Sequence, residues 1–113
     1  MTRGPQLYLR DIVDSIENIQ RYIGDMSFDD FVVNKMAVDA VIRNFEIIGE
    51  AASHVPDTIK GLYPEVPWLE MKGLRNIVAH EYFGVDLRII WTTVHQSLPS
   101  LLLSVLQIID ELG

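Results

Sequence analysis

The chemistry-bearing residues of this chain concentrate in positions 75–82, which read Arg-Asn-Ile-Val-Ala-His-Glu-Tyr. An arginine is a permanent cation whose fork of donors matches phosphate oxygens. A histidine gives or takes a proton near neutral pH, titrating at about 6.5 in water. Together Arg75 and His80 suffice for phosphodiester cleavage in RNA without a metal. The base removes the proton of a ribose 2′-hydroxyl, which attacks the adjacent phosphorus, and the cation stabilises the charge that builds there. Asn76 and Tyr82 add neutral hydrogen-bonding groups on either side. At about 100° per residue, however, Arg75 and His80 stand about 140° apart around a helix. Arg75, Ala79 and Tyr82 share one face, and Asn76, His80 and Phe83 share its neighbour. A single straight helix does not bring the pair to one point; two copies packed across a dimer axis would.

A second polar strip comprises Arg43, Glu46 and Glu50, spaced three and four residues apart as on one helix face. Its simplest reading is a ladder of intrahelical ion pairs. The functional alternative has Glu46 or Glu50 reaching across to orient Arg75 or His80. His54, close to Pro56, reads as a helix-end cation that complements the dipole, and His95 as a packing residue. Trp68 and Trp91 read as core anchors. With no cysteine and no histidine pair at ligand spacing, no metal site is expected. No glycine-rich phosphate loop is present, and no cofactor is expected.

The elements that must position these residues are helical. Leu9, Ile12, Val13, Ile16, Ile19 and Ile23 recur at helix period. Ser27 and Asp30 form a capping-box pattern, with Met26 and Phe31 placed as a staple. A second helix is predicted from residue 28 to about 53, interrupted near Asn34. Pro56, Gly61, Pro64 and Pro67 mark a loop holding at most one helical turn. Pro67 suits the first turn of a third helix, and Gly84 its stop. Asp86 then caps a fourth helix, which Pro99 kinks or divides before an end near Leu112. The prediction is an all-α, up-and-down bundle of four or five helices filling residues 1–113 as a single domain. The fourth helix is apolar on more than one face, which fits either deep burial or a dimer surface.

The net charge of −7 disfavours indiscriminate coating of nucleic acid. Between Trp68 and His95 the charges balance, so the acidity lies elsewhere. Residues 1–10 lack the pattern of a signal peptide, and the apolar stretch 98–109 is short for a bilayer and interrupted by Pro99. A cytoplasmic location without membrane contact is the expectation.

Residues 75–86 also resemble the signature of the HepT-like branch of the HEPN superfamily: arginine, four residues, histidine, one residue, tyrosine. The resemblance extends to residues 26–28, 39–44, 46–52, 67–68 and 86–99, in order along nearly the whole chain. It implies a dimerising helical bundle that cuts RNA without metal in a cleft between two motifs. It further implies the toxin half of a type VII HEPN/MNT toxin–antitoxin module, restrained by a minimal nucleotidyltransferase that adenylylates the motif tyrosine. Carried onto this chain, Arg75 would bind the scissile phosphate, His80 would handle the proton, Asn76 would assist and Tyr82 would be modified. An adenylyl group there would add bulk and negative charge beside Arg75. The alternative is a catalytically silent helical partner that binds a nucleotide or substrate for the same nucleotidyltransferase.

Overall fold

The structure is a computed structural model that describes the backbone of residues 4–79 and 86–113, with side chains except those of residues 77–79. The order is α1 (Pro5–Ile23), α2 (Phe28–Val33), α3 (Lys35–His54), α4 (Asp57–Leu62), α5 (Trp68–Ala79), α6 (Leu87–Thr92), a π-helical turn (Thr93–Ser97) and α7 (Leu98–Leu112). Among the described residues there is no strand. The long helices form a bundle in which α3 lies between α1 and α5, and α7 packs on the other side of α1.

The helical period of α1 is its packing face: Leu9, Ile12, Val13, Ile16, Ile19 and Ile23 are all buried. They meet Val41, Phe45 and Ile48 of α3 and Leu98, Leu101, Val105 and Ile108 of α7 in one core. Each such side chain contributes about 1.5–3 kcal/mol of transfer free energy before conformational entropy is set against it. Asn44 of α3 is a buried polar exception, satisfied by donating to the Ala40 carbonyl at 2.8 Å.

The breaks follow local chemistry. Ser27 and Asp30 form both bonds of the capping box, at 3.1 and 3.2 Å. Asn34 leaves helical geometry (φ −97°, ψ 88°), and its side chain then caps α3 by accepting from the Ala37 amide at 3.0 Å. The region between Pro56 and Pro67 holds a six-residue helix, α4, longer than the one turn the prolines suggest. Pro67 sits just ahead of α5 and its carbonyl accepts from the Met71 amide at 3.0 Å. Asp86 caps α6, its carboxylate accepting from the Arg88 amide at 3.0 Å. The proposed stop at Gly84 lies outside the described residues.

Pro99 does not divide the last helix, which runs on from Leu87 to Leu112. The preceding turn widens into π geometry, with the Leu98 amide donating to the Thr93 carbonyl. Proline lacks an amide hydrogen and its ring crowds the carbonyl one turn back, so the wider turn absorbs both defects. The outcome is one helix from Leu87 to Leu112, 26 residues long and apolar enough to cross a bilayer by length and composition. That corrects the expectation that the apolar segment is too short. Its inward residues, including Ile90, Val94, Leu98 and Val105, are buried in the bundle core.

Candidate functional site

The site begins with a close approach of two helices. Gly49 of α3 is buried against α5, and a Cβ there would fall 2.5 Å from Arg75 Cγ, 2.9 Å from the Arg75 amide nitrogen and 3.2 Å from the Met71 carbonyl oxygen. No side chain larger than hydrogen fits without moving α5. This contact places Arg75 beside Glu50, the next residue on α3. Arg75 Nη1 donates to Glu50 Oε2 at 2.6 Å. The carboxylate's other oxygen, Oε1, lies 3.0 Å from His54 Nε2, one turn further along α3. The His54 ring in turn stacks on Tyr8 of α1, with centroids 5.1 Å apart and planes 21° from parallel.

The Arg75 side chain is 36% exposed, that of Glu50 55% and that of His54 51%, so the cluster lies open to a ligand. Hydrogen bonds from Arg75 first and His54 second, together with their charges, hold the Glu50 carboxyl below the usual carboxylate range. With one Nη1 contact made to Glu50, a guanidinium retains further donors for a second anion such as a phosphate. Beside the cluster a cavity of about 210 Å³ is lined by Tyr8, Asp11, Arg43, Glu46, Glu50 and His54, among others.

The two glutamates of the polar strip therefore have different partners. Glu46 pairs with Arg43 on its own helix at 3.3 Å, whereas Glu50 leaves the strip to hold Arg75. His54 is in the last turn of α3, where a cation complements the dipole, and its ring also bonds Glu50. The four-residue spacing from Glu50 to His54 was a visible signal for this pair; nothing in the sequence pointed to Tyr8. Asn76 is exposed at the position after Arg75. His80 and Tyr82 lie outside the described residues. Trp68 and Trp91 are half-buried against the core, the Trp68 indole donating to the Tyr63 carbonyl at 3.0 Å. His95 packs on Trp91, centroids 4.1 Å apart. Among the described residues no three of histidine, aspartate and glutamate gather as metal ligands.

The sequence profile of the family described as ribonuclease HepT-like matches residues 12–108, a span that contains all of the motif and its supporting helix. The chain belongs to the HepT-like ribonuclease family. The "Probable ribonuclease HepT" of Thermococcus cleftensis is 46% identical over 101 residues, covering 89% of this chain and 92% of that protein. A Methanocaldococcus jannaschii protein named "Gamma-glutamylcyclotransferase and putative RNase" is 41% identical over 112 residues, covering 99% of this chain but 50% of its own length. A second protein of that organism, named a "Putative RNase", is 39% identical over 99 residues, covering 88% of this chain and 91% of its own. No solved structure matches the chain significantly. The HepT-like bundle is thus the frame in which Arg75 and Glu50 are brought together.

Proposed function

We propose that this HepT-like chain is a metal-independent endoribonuclease of the cytoplasm, the toxin of a HEPN/MNT module. The observation that carries the reading is the Arg75 guanidinium, held at the bundle surface by one oxygen of Glu50 at 2.6 Å, five residues before His80. A cation so anchored is oriented before substrate arrives, which is the condition for stabilising charge on a phosphate in the transition state. His80 takes the 2′-hydroxyl proton and Asn76 supplies a neutral donor. Because an ideal helix would set residues five apart about 140° around its axis, the reading makes the working site composite, formed by two copies of the chain. Tyr82 is the residue that a minimal nucleotidyltransferase antitoxin adenylylates, placing a phosphate where Arg75 would otherwise meet RNA.

Purified protein and its His80→Ala and Arg75→Ala variants, each incubated with total cellular RNA in EDTA, test this directly. Cleavage by the unmodified protein alone, with both variants folded and silent, is the expected result. Intact RNA in every tube, from protein whose mass excludes an adenylyl group, would instead assign the chain a binding role beside its nucleotidyltransferase.

A further inference from the structure

His54 is the remaining titratable group of the cluster, and its position is more specific than an exposed helix end requires. Its Nε2 faces a carboxylate oxygen, which only accepts, so that nitrogen carries a proton. Its ring is clamped against Tyr8, contributed by α1. The carboxylate it meets is the one that holds Arg75, through the opposite oxygen. Glu50 is thereby shared between two donors, one oxygen each.

That sharing has a consequence for the guanidinium. A carboxylate with both oxygens free takes arginine in a two-pronged grip, with two parallel N–H bonds. The same fork is what a phosphate requires. Occupation of Oε1 by His54 restricts Glu50 to the single bond through Oε2, so the arginine is anchored without being consumed. We propose that His54 is a positioning residue for Arg75: by engaging Oε1 of Glu50 it keeps the arginine's fork available to an RNA phosphate, and it does so more firmly when protonated. The proposal rests on the reading of Arg75 as the phosphate-binding cation.

Histidine changes its charge between about pH 5 and 8, within reach of ordinary conditions. The titratable and charged groups around it are Glu50, Glu46 and Arg43 on its own helix, Arg75 on α5, and Tyr8 and Asp11 on α1. When the ring becomes neutral Nε2 keeps its hydrogen but the bond loses its charge assistance, so Glu50 is freer to grip Arg75 with both oxygens and affinity for RNA falls. Ion pairs this exposed contribute little to stability, so removing His54 leaves the bundle folded and the effect readable.

The test uses the full chain carrying His80→Ala, which prevents cleavage, and a fluorescent single-stranded oligoribonucleotide of mixed sequence, titrated from about pH 5.5 to about pH 8, across the range in which histidine changes charge. Adding His54→Leu is expected to weaken binding about fivefold to tenfold at the acid end, the scale of one ordinary hydrogen bond, and to flatten the pH dependence. Adding His54→Gln, whose neutral amide can still donate to Oε1, is expected to recover part of the loss at the acid end, to about the binding of the His54 protein at the alkaline end, with a flat profile. Adding Arg75→Ala is expected to weaken binding and to make it indifferent to residue 54. Equal binding and equal pH dependence with and without the His54→Leu change, in protein where Arg75 still matters, would overturn the role of His54 alone. Binding that does not depend on Arg75, absence of binding included, would remove the reading on which the proposal stands. Side-chain 15N resonances of Arg75 give an independent check without RNA: they are expected to change between the wild-type chain and His54→Leu, and identical spectra count against the proposal.

Discussion

At the scale of single residues, Glu50 is the side chain whose ionisation the fold alters most clearly around the site. Arg75 and His54 stabilise its charged form and lower its pKa. A carboxyl depressed in the folded state contributes stability above its unfolded pKa and loses it as pH falls through the lower, folded value. The Glu50–Arg75 bond is therefore expected to persist into acid where ordinary carboxylates have already protonated. Carbon-detected NMR of the glutamate side chains checks this: Arg75→Ala should move the Glu50 midpoint upward, towards the usual value of about 4.3. An unmoved midpoint would mean the contact is not maintained in solution. Glu50→Gln should leave the melting temperature nearly unchanged, because exposed ion pairs stabilise little, while lowering RNA cleavage. A fully active Glu50→Gln protein would detach Glu50 from the chemistry.

Between elements, the critical contact is the one at Gly49. A methyl group there meets backbone atoms of α5 as well as the Arg75 side chain, so relief requires the helices to separate rather than a rotamer to change. Gly49→Ala is expected to destabilise the fold by about 1–3 kcal/mol, the usual cost of overpacking, although alanine is otherwise the better helix former. Denaturant unfolding measures it, and a neutral or stabilising result would show that α3 and α5 sit further apart than described. Another tie between elements is Tyr63, whose hydroxyl donates to Glu111 at 2.5 Å and joins the segment after α4 to the last turn of α7. That bond raises the Tyr63 pKa, with partial burial and the charges of Glu111 and Glu65 adding to it. A phenol raised in this way contributes stability that is present below its unfolded pKa and lost as pH rises through the folded one. Tyr63→Phe should accordingly reduce the stability difference between neutral and strongly alkaline solution, as read by thermal melts at the two pH values.

For the whole molecule, a composite site requires two copies of the chain. If Arg75 of one chain works with His80 of another, the two inactive variants complement each other. A heterodimer of Arg75→Ala and His80→Ala then contains one site with both groups intact and one with neither. Mixing equal amounts of the two variants after brief denaturation and refolding should restore cleavage to roughly a quarter that of the unmodified protein, because about half the dimers are mixed and each has one working site of two. No activity in the mixture, from material shown to contain heterodimers, would place both groups in the same chain. The net charge of −7 also bears on this scale. Long-range repulsion from RNA slows encounter and is screened by salt, so moderate salt should accelerate cleavage at limiting substrate instead of suppressing it as for a basic nuclease.

Much of this was legible along the chain because helices are local. The period of Leu9 to Ile23 marked the buried face of α1, and Ser27 and Asp86 announced their caps, since each bond links residues two or three apart. The cation and histidine of residues 75–80, and the family they belong to, were likewise plain from residue type and order. What spacing could not decide was which glutamate of the 43–50 strip meets Arg75. Both lie on nearly one face, and the choice depends on where α5 crosses, which Gly49 sets by letting two backbones come within contact of each other. Nor could it pair Tyr8 with His54, or show the turn before Pro99 widening to keep the last helix whole. Periodicity reports which residues share a face of one helix; only packing determines what that face is pressed against, and how closely.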